Sequence, residues 1–185
     1  IPAMIFGGIS GNHINPAFTI GLAVSGLFPW SEVLPYIIVQ ILGAMVGQLV
    51  VVACYKPYYD QTENKLHVLG TFSTINSVGS KFNGFVNEFF GSFILFFGAL
   101  GITKAPFFQN NLGTAHLALG FLVWTLVASF GGPTGPGLNP ARDLGPRIMH
   151  ALLPLKNKGD SQWSYSWVPV LAPIIASILA IALYK

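Results

Sequence analysis

The chain has 185 residues, of which 52% are hydrophobic and only 8% charged, with a formal net charge of +3 and a mean hydropathy of +0.62. Soluble domains carry about 25% charged residues, so this composition excludes a soluble globule and predicts a single-domain, all-α membrane protein. The few cations form no basic cluster and no basic amphipathic helix, which excludes a nucleic-acid partner. The single Cys54 excludes an internal disulfide and a cysteine metal site, and is expected as a buried thiol.

The chain opens without Met inside an apolar run, Ile1-Pro2-Ala3-Met4-Ile5-Phe6, so an N-terminal portion is expected to be absent. Residues 1–31 carry no Asp, Glu, Lys or Arg but are too broken by glycine for a simple span. A helix end to Phe6, a glycine-rich turn (Gly7, Gly8, Gly11) and a short helix over 15–26 are expected. Such a helix is about 18 Å long, enough to reach the middle of a ~30 Å hydrocarbon core but not to cross it. Residues 33–55 are uncharged and long enough to span, and contain Gly43-x-x-x-Gly47, a spacing that suits close helix packing in lipid. Residues 56–81 hold Asp60, Glu63, Lys65 and His67 and are expected as a solvent loop closing the first half of the chain. The second half, 82–185, opens on a span over 82–103 with one acid, Glu88. A short connection and a second span, 113–131, containing His116, follow. The run Gly132-Pro133-Thr134-Gly135-Pro136-Gly137 is expected to be non-helical. A second half-length helix is expected over 139–151, then a polar stretch at 156–161. The last span covers 163–184, with Trp163, Tyr165 and Trp167 at one end as an interfacial belt.

Two stretches echo each other: Asn12-His13-Ile14-Asn15-Pro16-Ala17 and Gly137-Leu138-Asn139-Pro140-Ala141-Arg142-Asp143. In each, an asparagine suited to a helix cap precedes a proline suited to the first turn, whose N–H groups lack partners in any case. Three expected spans separate Asn15 from Asn139, an odd number, so the two half-helices enter from opposite faces. That pattern implies an inverted repeat with its site near the midplane, the first repeat being incomplete by about two spans.

These motifs, together with Asn87-Glu88-Phe89-Phe90-Gly91, resemble the aquaporin or major intrinsic protein family along essentially the whole chain. Asp143 after Arg142, Arg147 four residues later and Pro169-Val170 resemble its glycerol-facilitator branch. The resemblance implies a bundle in which the half-helices meet at the midplane around a pore. It implies a homotetramer with both termini in the cytoplasm of a plasma-membrane protein. The positions of Lys56, Lys65, Lys81, Arg142, Arg147, Lys156 and Lys158 do not orient the chain by themselves.

On this reading 7–14 and 132–138, Gly137 and Leu138 included, supply carbonyl acceptors along the pore, since unpaired backbone is tolerated in lipid only where it lines a cavity. The half-helices meet at Pro16-Ala17 and Pro140-Ala141. Their N-termini each carry about half a positive elementary charge, which repels cations and protons. Asn15 and Asn139 donate amide N–H groups to a passing hydroxyl or water. Arg142, always charged and fork-shaped, binds solute hydroxyls at the filter. Asp143 is expected to brace the loop by accepting N–H groups or pairing with a base, and Glu88 to accept N–H groups of 132–138. His13 is placed beside the pore by the resemblance, whereas His116 and His150 are read as structural. The family's aromatic filter position is Pro136 here, with Val127 on another wall, which favours glycerol and other small neutral solutes with water. An ion-coupled transporter, a junction protein with closed pores and a water-selective channel are the competing readings. No Ser/His pair, aspartate pair or ligand cluster supports an enzyme, a cofactor or a metal.

Overall fold

The computed structural model describes residues 2–184; the expected outer limits at Ile1 and Lys185 lie outside the described residues. In chain order the helices are α1 (Pro2–Ser10), α2 (Pro16–Val24), α3 (Trp30–Gln61), α4 (Lys65–Gly70), α5 (Lys81–Lys104), α6 (Pro106–Gln109), α7 (Leu112–Thr134), α8 (Pro140–Leu152) and α9 (Val168–Tyr184). There is no strand among the described residues. α3, α5 and α7 are each long and apolar enough to cross a membrane, and α9 is a shorter apolar helix. With its 13 residues α8 is about 20 Å long, and α2, with nine, is about 14 Å. Neither crosses a bilayer.

Several boundaries differ from the sequence expectation, each for a local reason. Glycines 7 and 8 do not end α1, which runs to Ser10. Closure comes instead at Gly11, with φ +64, whose N–H bonds the Gly7 carbonyl at 2.9 Å. α7 runs through Gly132 and Pro133 to Thr134 and closes at Gly135, with φ +63. Its last carbonyls are taken up from outside: Ser77 Oγ donates to those of Gly132 and Pro133, and Ile75 N–H to that of Thr134. External donors thus allow helix where glycine and proline argue for loop. The non-helical stretches shrink to 11–14 and 135–138.

The 56–81 segment is not a plain solvent loop. α3 continues to Gln61, and α4 follows behind an Asn64 cap. Val68 and Phe72 are buried against Val52, Tyr59, Met149 and Leu155. The connection after α5 holds the one-turn α6. The last helix starts at Val168 rather than 163. Of the expected aromatic belt, Trp163 and Trp167 are exposed but Tyr165 is 2% exposed, packed over Gly84. Burial, with the Glu88 and Asp143 carboxylates nearby, pushes the Tyr165 phenol's pKa up, so it stays neutral. Cys54 is exposed, not buried.

α5 packs along α7 and α9, α2 packs on α9 and α3, and α8 packs on α3 and α9. Close approach is set by Gly21 and Gly145, each six residues after its motif asparagine. A Cβ on Gly145 would lie 2.8 Å from Ala44 Cβ and 2.9 Å from the Ile41 carbonyl of α3. One on Gly21 would lie 2.7 Å from Ile181 Cδ1 of α9. Among the described residues nothing lies within 4 Å of a Cβ at Gly43 or Gly47, whereas Gly91 and Gly98 receive Leu138 and Leu122. Gly145→Ala is therefore expected to cost about 1–3 kcal/mol by overpacking against backbone that cannot yield. Equal melting temperatures for Gly145→Ala and the parent would refute this packing.

Candidate functional site

The two short helices touch at their N-termini through a reciprocal pair of hydrogen bonds. Asn15 Nδ2 donates to the Leu138 carbonyl at 2.8 Å, and Asn139 Nδ2 donates to the Ile14 carbonyl at 2.8 Å. The other atom of each amide caps its own helix. Asn15 Oδ1 accepts from Ala17 N at 3.0 Å, and Asn139 Oδ1 from Ala141 N at 3.0 Å and Arg142 N at 3.3 Å. Pro16 and Pro140 occupy the first helical positions, where no N–H is needed. A carboxamide has two N–H groups. One on each asparagine is used across the junction, and the second has no partner among the described residues. The junction thus presents two spare donors in the positive field of two helix ends.

Acceptors lie beside them. The carbonyls of Gly135, Pro136 and Gly137 accept no hydrogen bond among the described residues. On the first loop, Ser10, Asn12, His13 and Ile14 each already accept one. The free acceptor row is therefore shorter than the two seven- or eight-residue ladders expected from sequence. Leu138 has φ +53 and a buried side chain against Gly91, so it meets the junction through its carbonyl alone.

His13 is 9% exposed and lies among Phe18, Phe28 and Tyr36, with ring centroids 5.3, 4.3 and 5.3 Å away. Its proton can be placed. Thr19 Oγ1 must donate to the Asn15 carbonyl, since a carbonyl only accepts, and it accepts from Gln40 Nε2. The His13 Nδ1 at 3.1 Å is then the N–H, which leaves Nε2 as an acceptor in the neutral ring.

Glu88 is fully buried behind the second loop. Its Oε1 accepts from Thr134 Oγ1 at 2.7 Å and Gly137 N at 2.9 Å, and Oε2 accepts from Leu138 N at 2.8 Å. Asp143 accepts from Thr74 N at 2.9 Å and Thr74 Oγ1, and forms a buried two-point pair with Arg147 at 2.8 and 2.7 Å. Arg147 also donates to the Ser161 and Thr74 carbonyls. Arg142 is exposed; NH1 donates to the Phe72 carbonyl at 3.1 Å, and the rest of its fork has no partner among the described residues. Val127 is 46% exposed on α7, and Pro136 is half-buried; neither makes a polar contact with the junction.

Phe72 and Thr74 escaped the sequence reading, which assigned their segment to solvent. Phe72 holds Arg142, and Thr74 touches both Asp143 and, through Cγ2, the space over Gly137. The available signal was the apolar Leu66, Val68, Leu69, Phe72 and Ile75 within the segment. Glu88→Gln sets an amide N–H against a backbone N–H and should destabilise the protein by about 1–3 kcal/mol. A melting temperature unchanged by Glu88→Gln would show that these bonds do not brace the loop.

The model of the family described as major intrinsic protein matches residues 1–184. The chain is 55% identical over 185 residues to glycerol uptake facilitator protein-like 5 of Lactiplantibacillus plantarum, covering all of this chain and 74% of that protein. It is 49% identical to glycerol facilitator-aquaporin gla of Lactococcus lactis subsp. cremoris, covering all of this chain and 80% of that protein. Among solved structures, the aquaglyceroporin from Plasmodium falciparum superposes with a TM-score of 0.83 at 26% identity, covering 98% of this chain and 74% of that one. With its paired half-helices joined through Asn15 and Asn139, this integral membrane chain belongs to the major intrinsic protein family.

Proposed function

We propose that the protein is a passive channel for glycerol and other small neutral solutes, with water, and that it excludes protons and ions. The observation that carries this reading is the asparagine junction with its spare N–H donors, next to the unpartnered carbonyls of 135–137. A polyol needs both kinds of group: each hydroxyl accepts from one side and donates to the other. A hydroxyl or water that accepts from Asn15 and Asn139 is unable to accept from its neighbour in the file, which interrupts a proton wire. The helix N-termini add a field that opposes cations.

Arg142 is assigned to the filter, with its unused donors toward solute hydroxyls and its charge against cations. Val127 and Pro136 form apolar walls there, and His13 offers Nε2 as an acceptor further along. Pro16, Ala17, Pro140 and Ala141 shape the junction; Glu88 and Asp143 support it. The names of the relatives agree with glycerol as solute. The protein is placed in the plasma membrane as a homotetramer, acting as a channel and not as an enzyme. Coupled transport is disfavoured because the Glu88 carboxylate, an acid inside a span, is fully buried and engaged by three protein donors.

Vesicles carrying the full-length protein should swell in glycerol at a rate indifferent to imposed sodium or proton gradients; a rate that follows either gradient would favour a transporter. Water flux without glycerol flux would instead reject glycerol as the solute. Asn139→Asp removes the N–H that holds the Ile14 carbonyl and adds a charge at the helix start. Its glycerol flux should drop at least tenfold, and flux at the parent's rate would remove the junction from the pathway.

A further inference from the structure

The two non-helical loops are secured by different means. The second is held from behind, with Glu88 on the N–H groups of Gly137 and Leu138 and Thr74 packed over Gly137. The first, 11–14, meets no carboxylate among the described residues. Gln40 Nε2 holds the His13 carbonyl at 2.7 Å and Asn139 holds that of Ile14. α1, which feeds this loop, has no buried residue.

At the loop's entry Asn12 has φ +61, a region that asparagine tolerates better than other side-chain-bearing residues. Its amide lies over Gly7, where a Cβ would come within 2.6 Å of Oδ1. Its Nδ2 reaches across to α7, 3.1 Å from His116 Nε2. The chemistry of this contact is determined by the other side of the ring. His116 Nδ1 lies 2.7 Å from the Leu112 carbonyl, which can only accept, so Nδ1 carries the hydrogen. In the neutral ring Nε2 is then an acceptor and takes an N–H from Asn12. The Asn12 carbonyl in turn accepts from Ile14 N at 2.9 Å, bridging His13. A chain of hydrogen bonds thus runs from α7 through His116, Asn12 and Ile14 to Asn139.

We propose that His116 is a positioning residue for the pore: by holding Asn12 it fixes the turn that carries His13 and the Ile14 carbonyl, and so sets the opening on that side of the junction. The inference rests on the channel reading above. With the link cut, the loop is free to swing away from α7 at its entry, and the His13 ring moves relative to Phe28 and Tyr36. Glycerol, the wider solute, feels that displacement more than water.

The test uses the full-length protein in vesicles, with flux expressed per inserted protein. His116→Leu and Asn12→Gly should each lower glycerol flux by up to about fivefold, the change in the equilibrium between held and released loop expected from one lost hydrogen bond, and water flux by less. Glycine at 12 keeps the positive φ and removes only the amide, so it carries the test should the leucine variant fail to insert. His116→Gln restores an acceptor and should recover glycerol flux. The double variant should be no worse than either single one, as for two ends of a shared bond. A purely structural histidine would change the yield of inserted protein but not the glycerol-to-water ratio. A conducting parent whose variants keep its flux and ratio, or losses that add in the double variant, would overturn the inference alone. A parent with no solute flux would overturn the channel reading and this inference together.

Discussion

The structure depends on how two polypeptide turns avoid leaving polar backbone unpaired in the middle of a membrane. Each helix that crosses only partway exposes N–H groups at its start and carbonyls on the strand that leads into it. Here the two problems solve each other. Asn15 caps its own helix with Oδ1 and satisfies the Leu138 carbonyl of the opposite loop with Nδ2, and Asn139 does the same toward Ile14. Aspartate and serine also cap helices, but only a carboxamide can cap one helix, donate to the other loop and keep a further N–H. The residue type follows from that triple requirement.

Around this junction the few charges are placed where an apolar chain can least afford an error. Glu88, Asp143 and Arg147 are fully buried. Burying an ion costs several kcal/mol unless its hydrogen-bonding capacity is met. All three meet it: Glu88 with a hydroxyl and two backbone N–H groups, Asp143 with Thr74 and the Arg147 fork, and Arg147 with two further carbonyls. These charges work on the backbone of the second loop and on the outer segment 72–74. They hold Arg142 beside the Phe72 carbonyl without using Arg142's remaining donors.

The two halves are alike in backbone and unlike in support. Gly11 and Gly135 both stand four residues before the motif asparagine, both with φ near +63° to +64°, and each ends a helix. Gly21 and Gly145 both admit the last span of the other half, α9 and α3 respectively. Among the described residues the second loop is braced by a buried carboxylate, while the first meets neutral amides and an imidazole.

The motif asparagines, the prolines that follow them and the low charge determined, without coordinates, that this is a helical membrane protein with two half-length helices. Helix caps and apolar run lengths are local properties, and local rules read them. The end of α7 was decided by tertiary structure: glycine and proline argued for loop at 132–134, but distant donors such as Ser77 and Ile75 satisfied the freed carbonyls. The same holds for packing. Gly43 and Gly47 had the better-known spacing, yet Gly145 makes the close approach, because which helix face meets a neighbour depends on the whole bundle. The roles of Phe72, Thr74 and His116 belong to the same class. Each acts through a partner 69 to 104 positions distant in the chain, and no pattern within a single stretch encodes such a meeting.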